Sequence, residues 1–379
     1  MAKKLFHFRF VFVLVVLFGF AVRELAYEHR PSWLRPDLKL CAYVANTADG
    51  TVSVVDLVSL HVRATVIVGP TPSGLRAHPT RAEIWGVSTQ GGFVWVLNAP
   101  TNTVVAHIPI GSQPFALDFS PDGSRAYVAA SGSNSVVAID CATKQVVAHA
   151  KTGRRPWIAR VTPDGRSVAV TNRDDSTLQI FDPATLALRA TIPTAAAPEQ
   201  FIVTDDSATA YVAAAGTNQL SVVDLRHNTL LTELPLPGKA DAMFLKPDGG
   251  ELYVTVPEAH GLTIINTYTH EVADSIILGA SPTRGVLDAE TSVLYVSDSV
   301  AGHIVPVDME YRTSEPPIKV GEHPGACHMD PGETHDLLLV VDEGSNDLAV
   351  IPADRSPNRS FITLIPLGNS PGDLAVKLF

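Results

Sequence analysis

PFALDFSPDG (114–123), RAYVAAS (125–131), NSVVAIDCAT (134–143) and QVVAHAKTG (145–153) follow one another with almost nothing between them. Each run is short and rich in Val, Ala, Phe and Tyr, with turn residues at its ends. This is the pattern of β-strands in tight hairpins, and Asp122-Gly123 and Asp164-Gly165 are hairpin signals. After residue 40 no useful length of chain carries apolar residues at helical spacing. Four such strands make one antiparallel sheet with two apolar faces. A sheet of that kind must be covered on both sides, and stacking copies around a ring does so.

Working outward, the unit recurs every 42 residues. One column runs Tyr43, Trp85, Tyr127, Ala169, Tyr211, Tyr253, Tyr295 and Leu337. A second runs Asp56, Asn98, Asp140, Asp182, Asp224, Asn266 and Asp308. A third is a Gly-x-x-Pro turn, as in Gly69/Pro72, Gly111/Pro114, Gly153/Pro156, Gly279/Pro282, Gly321/Pro324 and Gly368/Pro371. It is degenerate at Ala195/Pro198, and Gly238 lacks its proline. A period of this size with four strands per unit is that of a propeller blade.

The chain ends complete the count. Residues 41–67 hold three strands, and residues 371–379, PGDLAVKLF, hold one. Together they make one further blade beside the seven complete units. The expected fold is therefore an all-β, eight-bladed β-propeller of four-stranded antiparallel blades. It is closed by a composite blade that leaves no open sheet edge. The unit from Gly321 to Gly368 is longer than the others, with its insertion placed near Pro352–Arg359.

Of the 379 residues, 46% are hydrophobic and 18% charged, which suits a large packed core rather than a disordered chain. The formal net charge is −11, and no Lys/Arg cluster appears, so a nucleic-acid partner is not expected. Cys41, Cys141 and Cys327 are far apart and odd in number, which excludes a full disulfide framework. They read as buried small residues, with one disulfide plus a free thiol as the alternative. No C-x-x-C-H occurs, so covalent c-type haem is excluded.

Lys3, Lys4 and Arg9 precede an apolar run from Phe10 to Val22. Charge followed by a short apolar stretch is the layout of an export signal. Residues 1–22 are thus expected to direct export to the periplasm or the extracellular space. They end either in cleavage or in N-terminal membrane anchoring through residues 5–22, with a buried strand as the third reading. Residues 23–40 read as a linker, and 41–379 as a single propeller domain.

The strings YVANTADGTVSVVD (43–56), AYVAASGSNSVVAID (126–140), YVAAAGTNQLSVVD (211–224) and LYVSDSVAGHIVPVD (294–308) resemble the YVTN-type β-propeller repeat family. The resemblance covers essentially everything after residue 40. It implies the propeller fold within a superfamily that includes quinoprotein-like and cytochrome d1-like propellers. Function within it ranges over surface-layer modules, binding proteins and redox-enzyme components.

In a propeller the first strand of each blade lies nearest the axis. Aligned on their prolines, these strands carry Arg76, Asp118, Arg160, Ile202, Val286, His328 and Ala375 four residues on, with the unit after Gly238 ambiguous at Leu245. Two residues earlier, on the same face by period two, stand Gly74, Ala116, Ile158, Gln200, Arg284, Ala326 and Asp373. The candidate tunnel-lining ligand residues are therefore Arg76, Asp118, Arg160, Gln200, Arg284 and His328. They serve either as inter-blade ion pairs and hydrogen bonds or as a cationic patch for a small anionic ligand.

Other chemistries find less support. His323, His328 and His78 could contribute to a metal site, but Cys327 and His328 are strand neighbours and face opposite ways. In haem d1 propellers the repeat implies an iron-binding histidine just after the anchor; here that position reads Ser73, Phe115, Trp157, Glu199, Ala242, Thr283 and Gly325. Asp118, Asp373 and Gln200 are a thin set for calcium. The tryptophans at 33, 85, 95 and 157 show no repeated docking motif. Arg173-Asp174-Asp175 reads as a solvated hairpin. The expectation is a non-catalytic binding or protein-interaction module without a cofactor; a redox or hydrolytic component with an anion, haem or metal in the tunnel is the alternative.

Overall fold

The structure is a computed structural model that describes residues 39–330, 337–353 and 361–379. Residues 1–22 and most of the linker lie outside the described residues, as does most of the segment 352–359. Among the described residues no helix is long and apolar enough to cross a membrane.

Eight antiparallel sheets follow one another around a ring. The first is the composite blade: Pro371–Leu378 innermost, then Leu40–Asn46, Thr51–Asp56 and His61–Ile67. The C-terminal strand pairs antiparallel with Leu40–Asn46, and Tyr43 stands opposite Ala375. Blades 2 to 8 begin with the inner strands Pro72–Ala77, Pro114–Phe119, Pro156–Val161, Pro198–Val203, Met243–Leu245, Pro282–Asp288 and Pro324–Met329. In blade 7 the outer strand is split into Thr313–Ser314 and Ile318–Lys319.

The three sequence columns each have a mechanical cause. The aromatic column is buried between blades, and the hydroxyls of Tyr127, Tyr211, Tyr253 and Tyr295 reach the next blade. Tyr127 Oη donates to the Pro183 carbonyl at 2.8 Å, and Tyr253 Oη to that of Met309 at 3.0 Å. The Asp/Asn column caps the outer hairpins. Asp140 Oδ1 accepts the backbone N–H groups of Ala142 and Thr143, and Asn266 Oδ1 those of Tyr268 and Thr269. These are Asx turns, which bend the chain without help from the ladder. The Gly-x-x-Pro column brings the chain from the outer strand of one blade to the inner strand of the next.

Burial follows the same logic. Second and third strands are buried throughout, as in Glu83–Ser88 and Leu338 to Val341, because both faces meet a neighbouring blade. Outer strands such as His61–Ile67 alternate exposed and half-buried residues. Core clusters lie between adjacent blades. One joins Leu40, Ala42 and Val44 with Leu339, Val341 and Leu374 across the ring closure.

Two register expectations need correction. In blade 8 it is Leu339, not Leu337, that pairs with the inner strand through His328, as Tyr295 does through Val286. Two of the extra residues of this unit therefore fall in the hairpin before Leu339. In blade 6 the residue opposite Tyr253 is Phe244, not Leu245. Ala240, 42 residues after Pro198, takes the place of the proline, and Gly238 stands one residue out of phase with the glycine column. Cys41, Cys141 and Cys327 are all free thiols. Burial pushes Cys41 up to about 11 and Cys141 up to about 12, so both behave as small apolar residues.

Candidate functional site in the central tunnel

Seven of the eight inner strands carry a bulge just after their proline. In blade 4, Pro156 pairs with Asn172 and Ala159 with Val170, so three steps on one strand face two on the other. The same shift occurs between Ser73 and Arg76, Pro198 and Phe201, and Pro324 and Cys327. A bulge turns an extra residue toward one face. Three positions per strand thus line the tunnel: one, two and four residues after the proline. Period-two alternation alone would have sent the first of these elsewhere.

The cavity they enclose is about 620 Å³, and all eight blades contribute to it. Its outer tier contains Ser73, Phe115, Trp157, Glu199 and Asp241. Asp241, 42 residues after Glu199, holds this position in blade 6, in place of the expected Ala242. Phe115 stacks on Trp157 with ring centroids 4.5 Å apart. Arg173 lies over the other side of the tryptophan group at 5.3 Å and pairs with Glu199 at 3.1 Å. Arg173 was expected only in a solvated turn. Its neighbours do pair in that way, Asp174 with Arg155 and Asp175 with Arg154.

The middle tier contains Gln200, Arg284 and Asp373 among small residues. Arg284 stands 3.9 Å from both Glu343 and Asp373. Asp373 also accepts the backbone N–H of Gly74. Gly74 adopts φ +59, and a Cβ there would stand 2.6 Å from the Phe115 carbonyl oxygen, so the inner strands of blades 2 and 3 approach too closely for a side chain. Burial in the tunnel wall raises the Asp241 carboxyl, opposed by Arg284. Burial likewise raises Glu343. Water reaches Asp241, yet the wall around it is dense enough to disfavour charge.

The deep tier is divided. Arg76, Arg160 and His328 occupy one arc, and Ile202 and Phe244, from two consecutive blades, occupy the other. Arg160 Nη2 donates weakly to Gln200 Oε1 at 3.4 Å, and the guanidinium lies 5.9 Å from the Phe201 ring centroid. Its buried Nε has no partner. Burial, and then the nearby Arg76, push Arg160 down to about 10, with Asp118 acting the other way. His328 Nδ1 bonds the Met329 carbonyl, which leaves Nε2 as the acceptor of the neutral ring. Burial lowers its pKa, and Arg76 lowers it further.

Residues 23–293 match the YNCE-like beta-propeller family. The chain belongs to that family. Three solved structures share the architecture of this YNCE-like propeller. Hydrazine synthase from Kuenenia stuttgartiensis matches with a TM-score of 0.62 at 18% identity, over 75% of this chain and 96% of that one. The dihydro-heme d1 dehydrogenase NirN in complex with DHE matches at 0.73 and 15%, over 88% and 74%. AztD from Citrobacter koseri matches at 0.67 and 11%, over 90% and 98%. At these identities the likeness is one of fold. No curated protein sequence matches the chain significantly.

Five of the six candidate residues of this YNCE-like propeller come together in the tunnel wall: Arg76, Arg160, Gln200, Arg284 and His328. Asp118 does not line it. Its Oδ2 accepts the Val161 backbone N–H of the next blade at 3.0 Å, which is the inter-blade role. Asp373 combines both roles. Cys327 bonds Ser297 Oγ at 3.1 Å and His323 bonds the Ser299 carbonyl at 3.0 Å, so neither joins His328 around a common point. Among the described residues no three His, Cys, Asp or Glu side chains gather in a way that could hold a metal. The position just after the anchor carries no histidine in any blade, so the residues present do not fit the haem arrangement the resemblance implied. Arg173, Asp241 and Glu343 are the contributors that strand alignment missed. Arg173 and Glu343 follow second strands and Asp241 follows Ala240, where the repeat offers no proline to align on.

Proposed function

We propose that this chain is a ligand-binding propeller that works outside the cytoplasmic membrane and holds a small anionic molecule in its central tunnel. One observation carries the reading. Arg160 sits in the tunnel wall with a buried Nε that has no partner, and among the described residues neither it nor Arg76 forms an ion pair with a carboxylate. A guanidinium held there by one weak bond to Gln200 is costly, and a bound carboxylate or phosphate would supply two parallel hydrogen bonds. The cavity volume falls in the range of small-molecule sites. A binding role suits the wall's hydroxyl and thiol groups. Ser73 Oγ donates to the Phe115 carbonyl at 3.2 Å, and burial pushes the Cys327 thiol up to about 12. Neither is an activated nucleophile.

Export follows from the charged and apolar residues 1–22, which either are cleaved or anchor the chain through residues 5–22. Cell fractionation with an antibody to the propeller tests this. Recovery in the cytosol overturns it. The tunnel reading is tested by thermal denaturation of the full chain in acetate, citrate and inorganic phosphate at matched ionic strength. A ligand that binds only the folded state raises the midpoint. At least one anion should do so saturably, and Arg160→Gln should abolish the rise. No stabilisation by any anion, or equal stabilisation of the variant, refutes the reading.

A further inference from the structure

The deep tier has two properties beyond a positive charge, and together they narrow the ligand. The first is its charge count. Arg76 and Arg160 bring two positive charges. Asp118 stands behind the wall, yet its charge reaches Arg160. His328 is held toward the neutral form by burial and by Arg76. One positive charge is therefore left to be balanced. A single carboxylate balances it, whereas a phosphate dianion would be repelled by Asp118. The second property is the division of the ring. Facing the arginine arc, Ile202 and Phe244 form an apolar arc across two adjacent blades. Phe201, fully buried, backs Arg160. A small hydrated anion would leave that apolar arc wet, at a cost in unburied apolar surface.

We propose that the tunnel takes a monocarboxylate with an apolar body, its carboxylate on Arg76 and Arg160 and its body against Ile202 and Phe244. This rests on the tunnel-binding reading above and specifies its ligand class. The middle tier supports the polarity: Arg284 is already flanked by Glu343 and Asp373, so a second carboxylate entering there meets existing negative charge.

The experiment is calorimetric titration of the full chain with four probes. These are 4-phenylbutyrate, its neutral amide, acetate and phenyl phosphate. 4-Phenylbutyrate should bind at one site per chain. The amide should be weaker by about tenfold or more for want of the charge-assisted bonds, and acetate by a similar factor for want of the apolar body. Phenyl phosphate should also be weaker. Asp118→Asn keeps an oxygen to accept the Val161 N–H while removing the charge, so it should shift the affinity ratio toward phenyl phosphate by about tenfold. Its circular dichroism spectrum reports that the blades remain intact. Phenyl phosphate binding as tightly as 4-phenylbutyrate, or acetate doing so, overturns the monocarboxylate assignment while leaving a tunnel that binds anions. No binding of any probe overturns both.

Discussion

Asp342 and Asp347 face each other in register across the second and third strands of blade 8, at the base of their hairpin. Asp342 is fully buried. Burial first, and then the Asp347 carboxyl beside it, push Asp342 up to about 8, while the Gly321 N–H pulls the other way. The pair therefore keeps a proton at neutral pH. A carboxyl raised in the folded state gives stability that is complete below its unfolded value and is lost as the pH rises through its folded value. For a shift from 3.8 to about 8, the ceiling is about 6 kcal/mol. Relaxation of the hairpin and entry of water reduce this, so about 2 kcal/mol is the expected loss between pH 5 and pH 8.5. Asp342→Asn removes the ionisation and donates an amide hydrogen to Asp347. Urea denaturation should find the variant close to wild type at pH 5 and about 2 kcal/mol more stable at pH 8.5. The reading uses the difference between the proteins at each pH, because the hydrogen-bonded turn carboxylates, such as Asp122 and Asp182, are lowered and give the opposite slope. An equal effect at both pH values, or a destabilised variant at pH 8.5, refutes the shared proton.

Deleting residues 371–379 removes the inner strand of blade 1, with buried Leu374, Ala375 and Val376, and bares an edge of Leu40–Asn46. The truncated chain should aggregate or lose cooperative unfolding, seen by size-exclusion chromatography and circular dichroism; unchanged behaviour would contradict the composite closure. Tyr253→Phe loses the bonds to Glu251 and to the Met309 carbonyl of the next blade, so urea denaturation should show a loss of about 1 kcal/mol. A bound carboxylate beside His328 should raise that ring's pKa. Affinity for 4-phenylbutyrate should therefore strengthen as pH falls from 7 toward 5, and His328→Asn should flatten the profile in calorimetry.

The ring was legible because its determinants are local and repeated. An Asx turn needs only Asp140 and the next few N–H groups, and a hairpin needs only Asp122-Gly123. Each leaves a mark in sequence at a fixed spacing. The tunnel was legible only in part. Arg76, Arg160, Gln200, Arg284 and His328 stand at fixed distances from a proline, so alignment found them. Asp118 shares that spacing, but its carboxylate turns to the Val161 N–H of the next blade, a choice made by packing rather than by position. Asp241 stands 42 residues after Glu199 and was hidden because the alignment followed Gly238, which lies one residue out of phase, rather than the period itself. Leu339 was hidden by a two-residue insertion, which a constant period cannot represent. The outer tier was left out of the candidate set for a different reason. Strict alternation assumes an unbroken ladder, whereas seven of the eight inner strands are bulged immediately after their anchor.

The place of the inner strands also explains why charge can persist in this ring. Each is the edge of its sheet, so N–H groups on its axial side have no ladder partner. Asp373 takes up that of Gly74 and Asp118 that of Val161, while Glu199 pairs with Arg173. The arginines on the inner strands receive no such compensation. Arg284 reaches Glu343 and Asp373 only at 3.9 Å, and Arg160 keeps a buried Nε with no partner. If Arg76 and Arg160 served closure alone, residues such as the Ile202 and Val286 of neighbouring blades would fill the same positions at less electrostatic cost. The asymmetry between satisfied acids and unsatisfied bases is what points beyond architecture, toward a negatively charged group that the chain itself does not provide.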